Sequence, residues 1–310
     1  MTRRTLFALF VGIALSIGIC SCGGSGSGTS SAGGPSSPSS EPKIYFFILE
    51  NHSYGQIVGN GNMPFLNSLI TSRSVADAFY ANTHPSIGNY FMLTTGQIIS
   101  NDDAFSGIVN SDNLARELTA TGKTWRVYAE DLPSVGFLGA SSGAYVKRHN
   151  PFAYFSDVVN SAAQAQNIVP YSQFLGALNG ATTADFNYVL PNQNHNMHDC
   201  PAGMVSCADA DKEKAADAWL QANLTPLFAN GEFQQRGLLI ITLDESLDTD
   251  TANGGGHIVT VLAGPKAKDA YRSTVLYQHQ SLLRLVCDQL GCPTRPGASA
   301  SAAAMNEFLK

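Results

Sequence analysis

Two stretches of the chain are apolar almost throughout, and each stops abruptly at a carboxylate. Lys43–Leu49 reads KIYFFIL and runs into Glu50-Asn51; Gly237–Leu243 reads GLLIITL and runs into Asp244-Glu245. A short run without polar alternation, closed by a polar cluster, is the pattern of a strand buried on both faces. Phe186–Leu190, stopped by Pro191, and residues 257–262, stopped by Gly264-Pro265, read the same way, and 75–80 and 124–128 add shorter strand-like runs. Between them apolar residues recur at helical spacing over 63–71, 114–121, 209–230 and 278–290, the longest keeping Ala, Leu and Trp on one face. Alternating helices and apolar strands predict an α/β protein, a three-layer sandwich with a mostly parallel central sheet. Ligands of such sheets collect beyond the carboxyl ends of the strands, so Glu50, Asn51, Asp244 and Glu245 are expected on one rim.

The first 42 residues have another character. Arg3-Arg4 precede an apolar segment over 6–19, too short to span a bilayer, which takes about 20 residues. This is the layout of an export signal over 1–22. Two endings are open: ordinary cleavage, or a lipoprotein-type ending with Cys22 as the lipidated first residue. Residues 23–42 are mostly Gly, Ser, Pro, Thr and Ala, which cannot bury enough apolar surface to offset their ordering entropy, so a flexible tether is expected. A folded domain is expected over 43–292 and a C-terminal tail over 293–310. The predicted location is periplasmic or cell-surface as a lipoprotein, otherwise secreted, with membrane contact only through the N-terminal anchor.

Composition narrows the partners. A net charge of -6, with 14% charged residues and no basic run after residue 4, argues against nucleic acid, whose phosphates are held by clustered Lys and Arg. A monomer is expected. Cys200, Cys207, Cys287 and Cys292 remain in the folded part. In an oxidising compartment they are expected as disulfides; 200–207 with 287–292 is the simplest pairing, and crossed pairing stays open. No CxxC spacing marks a zinc site.

The rim residues suggest chemistry. Converging carboxylates repel one another unless a proton or a cation lies between them. Oxygen donors suit one divalent ion, Ca²⁺, Mg²⁺ or Mn²⁺ ahead of Zn²⁺. Thr83-His84-Pro85-Ser86-Ile87-Gly88-Asn89-Tyr90 opens a helix. A serine there is either a plain cap or, at the positive end of the helix dipole, a hydroxyl beside an anion. His195 and His198 crowd the polar stretch 194–200, and Lys147-Arg148-His149 is a compact basic cluster that could face phosphate. His257 and His279 are further candidates.

ENHS at 50–53, THPSIGNY at 83–90, TG at 95–96, YAEDLP at 128–133, KRHNPFAYF at 147–155, PNQNHNMHDC at 191–200, TLDE at 242–245 and VLAGP at 261–265 follow in one order. The set resembles the bacterial phosphoesterase family of secreted acid phosphatases and phospholipases C, over about residues 43–291. The resemblance implies an alkaline-phosphatase-like fold. It also implies Ser86, three residues before Asn89, as nucleophile, and one metal ion held by Glu50, Asn51, Ser86, Asp244 and Glu245. His198 with Asp199 would stand near the leaving group, and Lys147 and His149 would stabilise phosphoryl charge. Asn89, His195, His257 and His279 are the candidates for holding substrate. Asn51 and Glu245 replace the Asp and His ligands of two-zinc alkaline phosphatases, which favours a single ion; the CxPxR element of sulfatases is absent. The expected activity is metal-dependent hydrolysis of phosphate monoesters, on small molecules or lipids, through a phosphoserine. A phospholipase C or other phosphodiesterase is the alternative, and a non-catalytic lipid-anchored binding protein the third reading.

Overall fold

The computed structural model describes residues 41–310; the expected leader and nearly all of the expected tether lie outside the described residues. The strands are β1 Lys43–Leu49, β2 Ser74–Ala76, β3 Phe79–Tyr80, β4 Trp125–Ala129, β5 Ile168–Pro170, β6 Phe186–Leu190, β7 Gly237–Leu243, β8 Thr260–Ala263, β9 Arg272–Ser273 and β10 Tyr277–Gln278. One sheet runs β5-β4-β6-β1-β7-β8-β2-β9, and β3 pairs separately with β10. From β5 to β7 all neighbours are parallel. β8 is antiparallel to both β7 and β2. The connection from β7 to β8 holds no helix to carry a crossover, so the chain comes back in the opposite direction.

Side chains of β1 alternate between two helical layers. Tyr45 and Phe47 meet Phe174, Trp219 and Phe233, from the helices Gln173–Asn179, Asp209–Ala229 and Gly231–Arg236. Phe46 points the other way, with Phe186 and Tyr188, under Phe152. The helices Ser86–Thr95, Leu114–Ala120 and His279–Leu290 pack against one another in that second layer. Both faces are therefore closed, which is why β1 and β7 carry no polar alternation. The long helix shows the expected face, burying Ala216, Trp219, Leu220, Leu224 and Leu227.

Three expectations change. The run 75–80 is not one strand: a turn at Asp77-Ala78 divides β2 from β3, and the run from 257 becomes ladder only at Thr260. Residues 293–310, expected as a C-terminal tail, pack onto the domain. Met305 and Phe308 are buried, Phe308 packs on Tyr271 and Tyr277, and Glu307 accepts from the Tyr277 hydroxyl at 2.8 Å. Isolated apolar residues in an Ala/Ser-rich segment leave little periodicity to read, yet they suffice to anchor it. Finally, Cys200 and Cys207 form a disulfide, whereas Cys287 and Cys292 are neighbouring free thiols. No helix among the described residues is long and apolar enough to cross a membrane.

Candidate active site

The parallel register builds the rim. Leu49 lies opposite Leu243, so Glu50 and Asp244 leave the sheet side by side, and the Asp244 amide adds one more rung to Leu49 O at 3.0 Å. Asn51 then turns with φ 42°, a left-handed conformation that asparagine tolerates. Its backbone N–H donates to Asp244 Oδ1 at 3.4 Å. Glu50, Asp244 and Glu245 are all buried.

Ser86 arrives from a different element. It is the first residue of the helix Ser86–Thr95, buried, and its hydroxyl donates to Glu245 Oε1 at 2.9 Å. Asn89 spends its amide on the loop before it, accepting from the N–H groups of Asn82 and Thr83 at 3.0 and 3.2 Å and donating to Thr83 O at 2.7 Å. A glycine run supports that loop from below. A Cβ on Gly255 would lie 2.5 Å from Thr83 O and 2.7 Å from Thr83 N, backbone atoms with no room to yield. Gly255→Ala is therefore expected to cost about 1–3 kcal/mol of stability, as overpacking does, and to lower turnover by displacing Ser86. Urea denaturation and initial rates measure the two effects together.

Glu50 is held on one side only. Its Oε1 accepts from the Tyr90 hydroxyl and lies 2.9 Å from His149 Nε2, while Tyr90 and His149 stack at 4.9 Å. Glu50 Oε2, Asn51 Oδ1 and Asp244 Oδ2 are buried and have no hydrogen-bond donor. Burial first, and then the charges of Glu50 and Glu245, push the Asp244 carboxyl well above its ordinary range. Burial also raises Glu245, against the pull of His84. Burial opposes ionisation of Glu50 too, yet His149, His198 and Tyr90 together hold it below the usual carboxylate value. Three acids, donorless buried oxygens and no thiolate make a donor set that fits one hard divalent cation, with Ser86 Oγ beside it.

His84 stands at the outer edge of this cluster. Its Nδ1 is 2.7 Å from Glu245 Oε2 and 3.7 Å from exposed Asp248, and these three residues converge closely enough to hold an ion. Glu245 thus reaches Ser86 with one oxygen and His84 with the other.

The remaining candidates divide. His198 bonds Asp199 Oδ1 at 2.7 Å and is partly exposed, and its loop after β6 meets the rim where the Glu50 N–H donates to Asn196 O at 2.8 Å. Lys147 lies 4.6 Å over the Tyr154 ring. His195 pairs with Glu130 at 2.9 Å, and Glu130 also accepts from the Asn192 amide and Trp219 Nε1. That network braces the 191–200 loop. His257 is stacked between Tyr54 and Tyr80 and meets Asp77 O at 2.8 Å, contacts that lead away from the carboxylates. His279 is buried, and burial pushes its pKa down to about 4. The neutral ring supports the Asp244 carbonyl at 2.6 Å. Tyr90, His84 and Glu130 lie within the sequence motifs but have no site role assigned by the pattern. Tyr90 reads as apolar helix filler, and the other two have partners more than 60 residues away.

Residues 59–293 match the model of the Phosphoesterase family. A phosphatidylinositol-3-phosphatase of Mycobacterium tuberculosis is 31% identical over 254 residues, 81% of this chain and 77% of that protein. A probable acid phosphatase of Kluyveromyces lactis is 26% identical over 79% of this chain and 57% of its own length, so the chain spans little more than half of that yeast relative. A solved Vibrio parahaemolyticus protein of the alkaline phosphatase superfamily superimposes with a TM-score of 0.58 at 14% identity, over 82% of this chain and 67% of that one, a likeness of fold. The chain belongs to the Phosphoesterase family and is a phosphoric ester hydrolase on an alkaline-phosphatase-like fold.

Proposed function

We propose that the protein is a metal-dependent phosphomonoesterase that works through a phosphoserine on Ser86. One observation carries this reading: a buried serine at a helix start, bonded to Glu245 at 2.9 Å, stands beside buried oxygens of Glu50, Asn51 and Asp244 that have no donor. A divalent ion held by Glu50, Asn51, Ser86, Asp244 and Glu245 would supply Lewis-acid stabilisation of the serine oxygen and of phosphoryl charge.

The chain's own groups do the rest. Glu245 Oε1 would take the Ser86 proton along the hydrogen bond of 2.9 Å between them. Ser86 Oγ attacks phosphorus, and the bond to the leaving oxygen breaks on the opposite side. His198, oriented by Asp199, gives that oxygen a proton. Water, giving a proton to His198, then attacks the phosphoserine; the bond from phosphorus to Ser86 Oγ breaks, Glu245 returns its proton to that oxygen, and phosphate leaves. His149 and Tyr90 hold Glu50 in position throughout. The mycobacterial relative's name makes a phosphorylated lipid headgroup one substrate to test. Export belongs to the same reading, supported by the Cys200–Cys207 disulfide, and lipidation at Cys22 is part of it.

The test uses three esters with a divalent ion present: a chromogenic monoester, the matching bis-ester, and phosphatidylcholine. The monoester is expected to be hydrolysed at least about tenfold faster, a difference of roughly 1.4 kcal/mol in barrier. Faster release from the bis-ester or from phosphatidylcholine would transfer the site to the phosphodiesterase or phospholipase C reading.

A further inference from the structure

A recess lies on the far side of Asp103 from the nucleophile's helix. The segments 103–106, 139–141 and 146–148, with Tyr154, line a groove of about 300 Å³. Asp103 joins it to the site: Oδ1 accepts from the Ile87 amide, next to Ser86, at 3.2 Å, and Oδ2 faces Arg148 Nε at 3.3 Å. The turn Lys147–His149 is the second link, because its last residue reaches Glu50.

The two sides of the groove differ in chemistry. Phe105 and Tyr154, with ring centres 5.8 Å apart, make it aromatic, and Phe91 backs both edge-on. Lys147 makes it cationic. Arg148 has Asp103 as its carboxylate, but among the described residues the Lys147 ammonium meets none and instead lies over the Tyr154 ring. A ring face gives a partly desolvated cation on the order of 1 kcal/mol, less than an anion at hydrogen-bond distance. The groove therefore presents a flat apolar wall with an uncompensated positive charge at its edge.

We propose that this groove is the leaving-group subsite, and that it selects phosphate monoesters whose leaving group carries an aromatic or other apolar ring together with a second anionic group. The ring lies against Phe105 and Tyr154, and the anion pairs with Lys147. The proposal rests on the phosphomonoesterase reading above and adds the substrate class. It also moves Lys147 from the transferred phosphoryl group to the far end of the substrate.

The test compares phenyl phosphate, 4-carboxyphenyl phosphate and the neutral 4-carbamoylphenyl phosphate on the full-length protein with a divalent ion present. The carboxylate substrate is expected to have a KM about tenfold below its neutral match. Ala140 lies exposed on the groove wall. Ala140→Glu is expected to erase that preference, read as the ratio of the two KM values within the same variant, and Ser106→Glu, at a second exposed position, to do the same. Ala140→Lys keeps or widens the preference. Equal KM values in the unmodified protein, or a preference that survives both glutamates, overturns the subsite. Failure to hydrolyse phenyl phosphate at all would instead count against the monoesterase reading.

Discussion

Ser86→Ala is expected to lower monoester turnover by on the order of 10⁴- to 10⁶-fold, the range for losing a covalent nucleophile or the residues that activate it. The change removes one oxygen at a buried position, so the helix and its loop should persist. Glu245 Oε1 loses its donor, and an unsatisfied buried acceptor costs about 1–3 kcal/mol. That is too little to unfold a domain and too little to explain such a rate loss through stability. Rapid quench with mass spectrometry separates the possibilities further. The unmodified protein should show a phosphate adduct on the peptide containing Ser86, and the alanine variant should show none. Residual turnover within tenfold of normal would mean that water attacks directly and that no phosphoserine forms.

The second large effect is on stability. In chelator the protein is expected to melt about 5–10 °C lower than with a divalent ion at a hundredfold excess over its Kd. Such an excess is worth about 2.7 kcal/mol, at roughly 2–4 °C per kcal/mol for a domain of this size. The gain depends on pH, and its sign follows from Asp244. Burial, Glu50 and Glu245 raise its folded pKa above the unfolded value of 3.8. Its contribution to the cation-free protein is thus fully present below the unfolded pKa and is lost as pH rises through the folded one. The ion and the proton compete for the same oxygens, so the rescue by cation should be large at neutral pH and fade on acidification. Differential scanning calorimetry across pH, with and without chelator, reads both. A melting temperature indifferent to divalent ions at every pH would remove the cation from the site. Asp244→Asn is the companion variant: it should raise the melting temperature in chelator and abolish the response to metal.

Part of this site was open to direct reading. Lys43–Leu49 and Gly237–Leu243 are so uniformly apolar that only a strand covered on both faces accommodates them, and both close on carboxylates. Periodicity also marks the long helix over Asp209–Ala229, because its buried face repeats through several turns. It fails for β5 and β9, which are three and two residues long, and for the C-terminal segment anchored by Met305 and Phe308. Polar residues are harder still. Asn89 reads as a site residue, yet its amide ties down the Asn82-Thr83 backbone. Tyr90, one residue further on, looks like packing and instead holds Glu50. Such roles depend on which oxygen lies opposite which donor, and neighbours in sequence say nothing of that.

By itself the sequence determined the class of fold, the two carboxylate-ended strands and, through its ordered motifs, the family. These are local or compositional properties: a buried strand must be apolar, and a motif is a string. Tertiary structure alone decided that Glu50 and Asp244 are neighbours, because that follows from the parallel register pairing Leu49 with Leu243. The family resemblance already draws Ser86 and Glu245 to one ion; the tertiary structure decided that, across 159 residues, they share a direct hydrogen bond. It also decided that His84, not His257, joins the cluster. Each depends on where separate elements come to rest against one sheet, a distance that no residue pattern along the chain encodes.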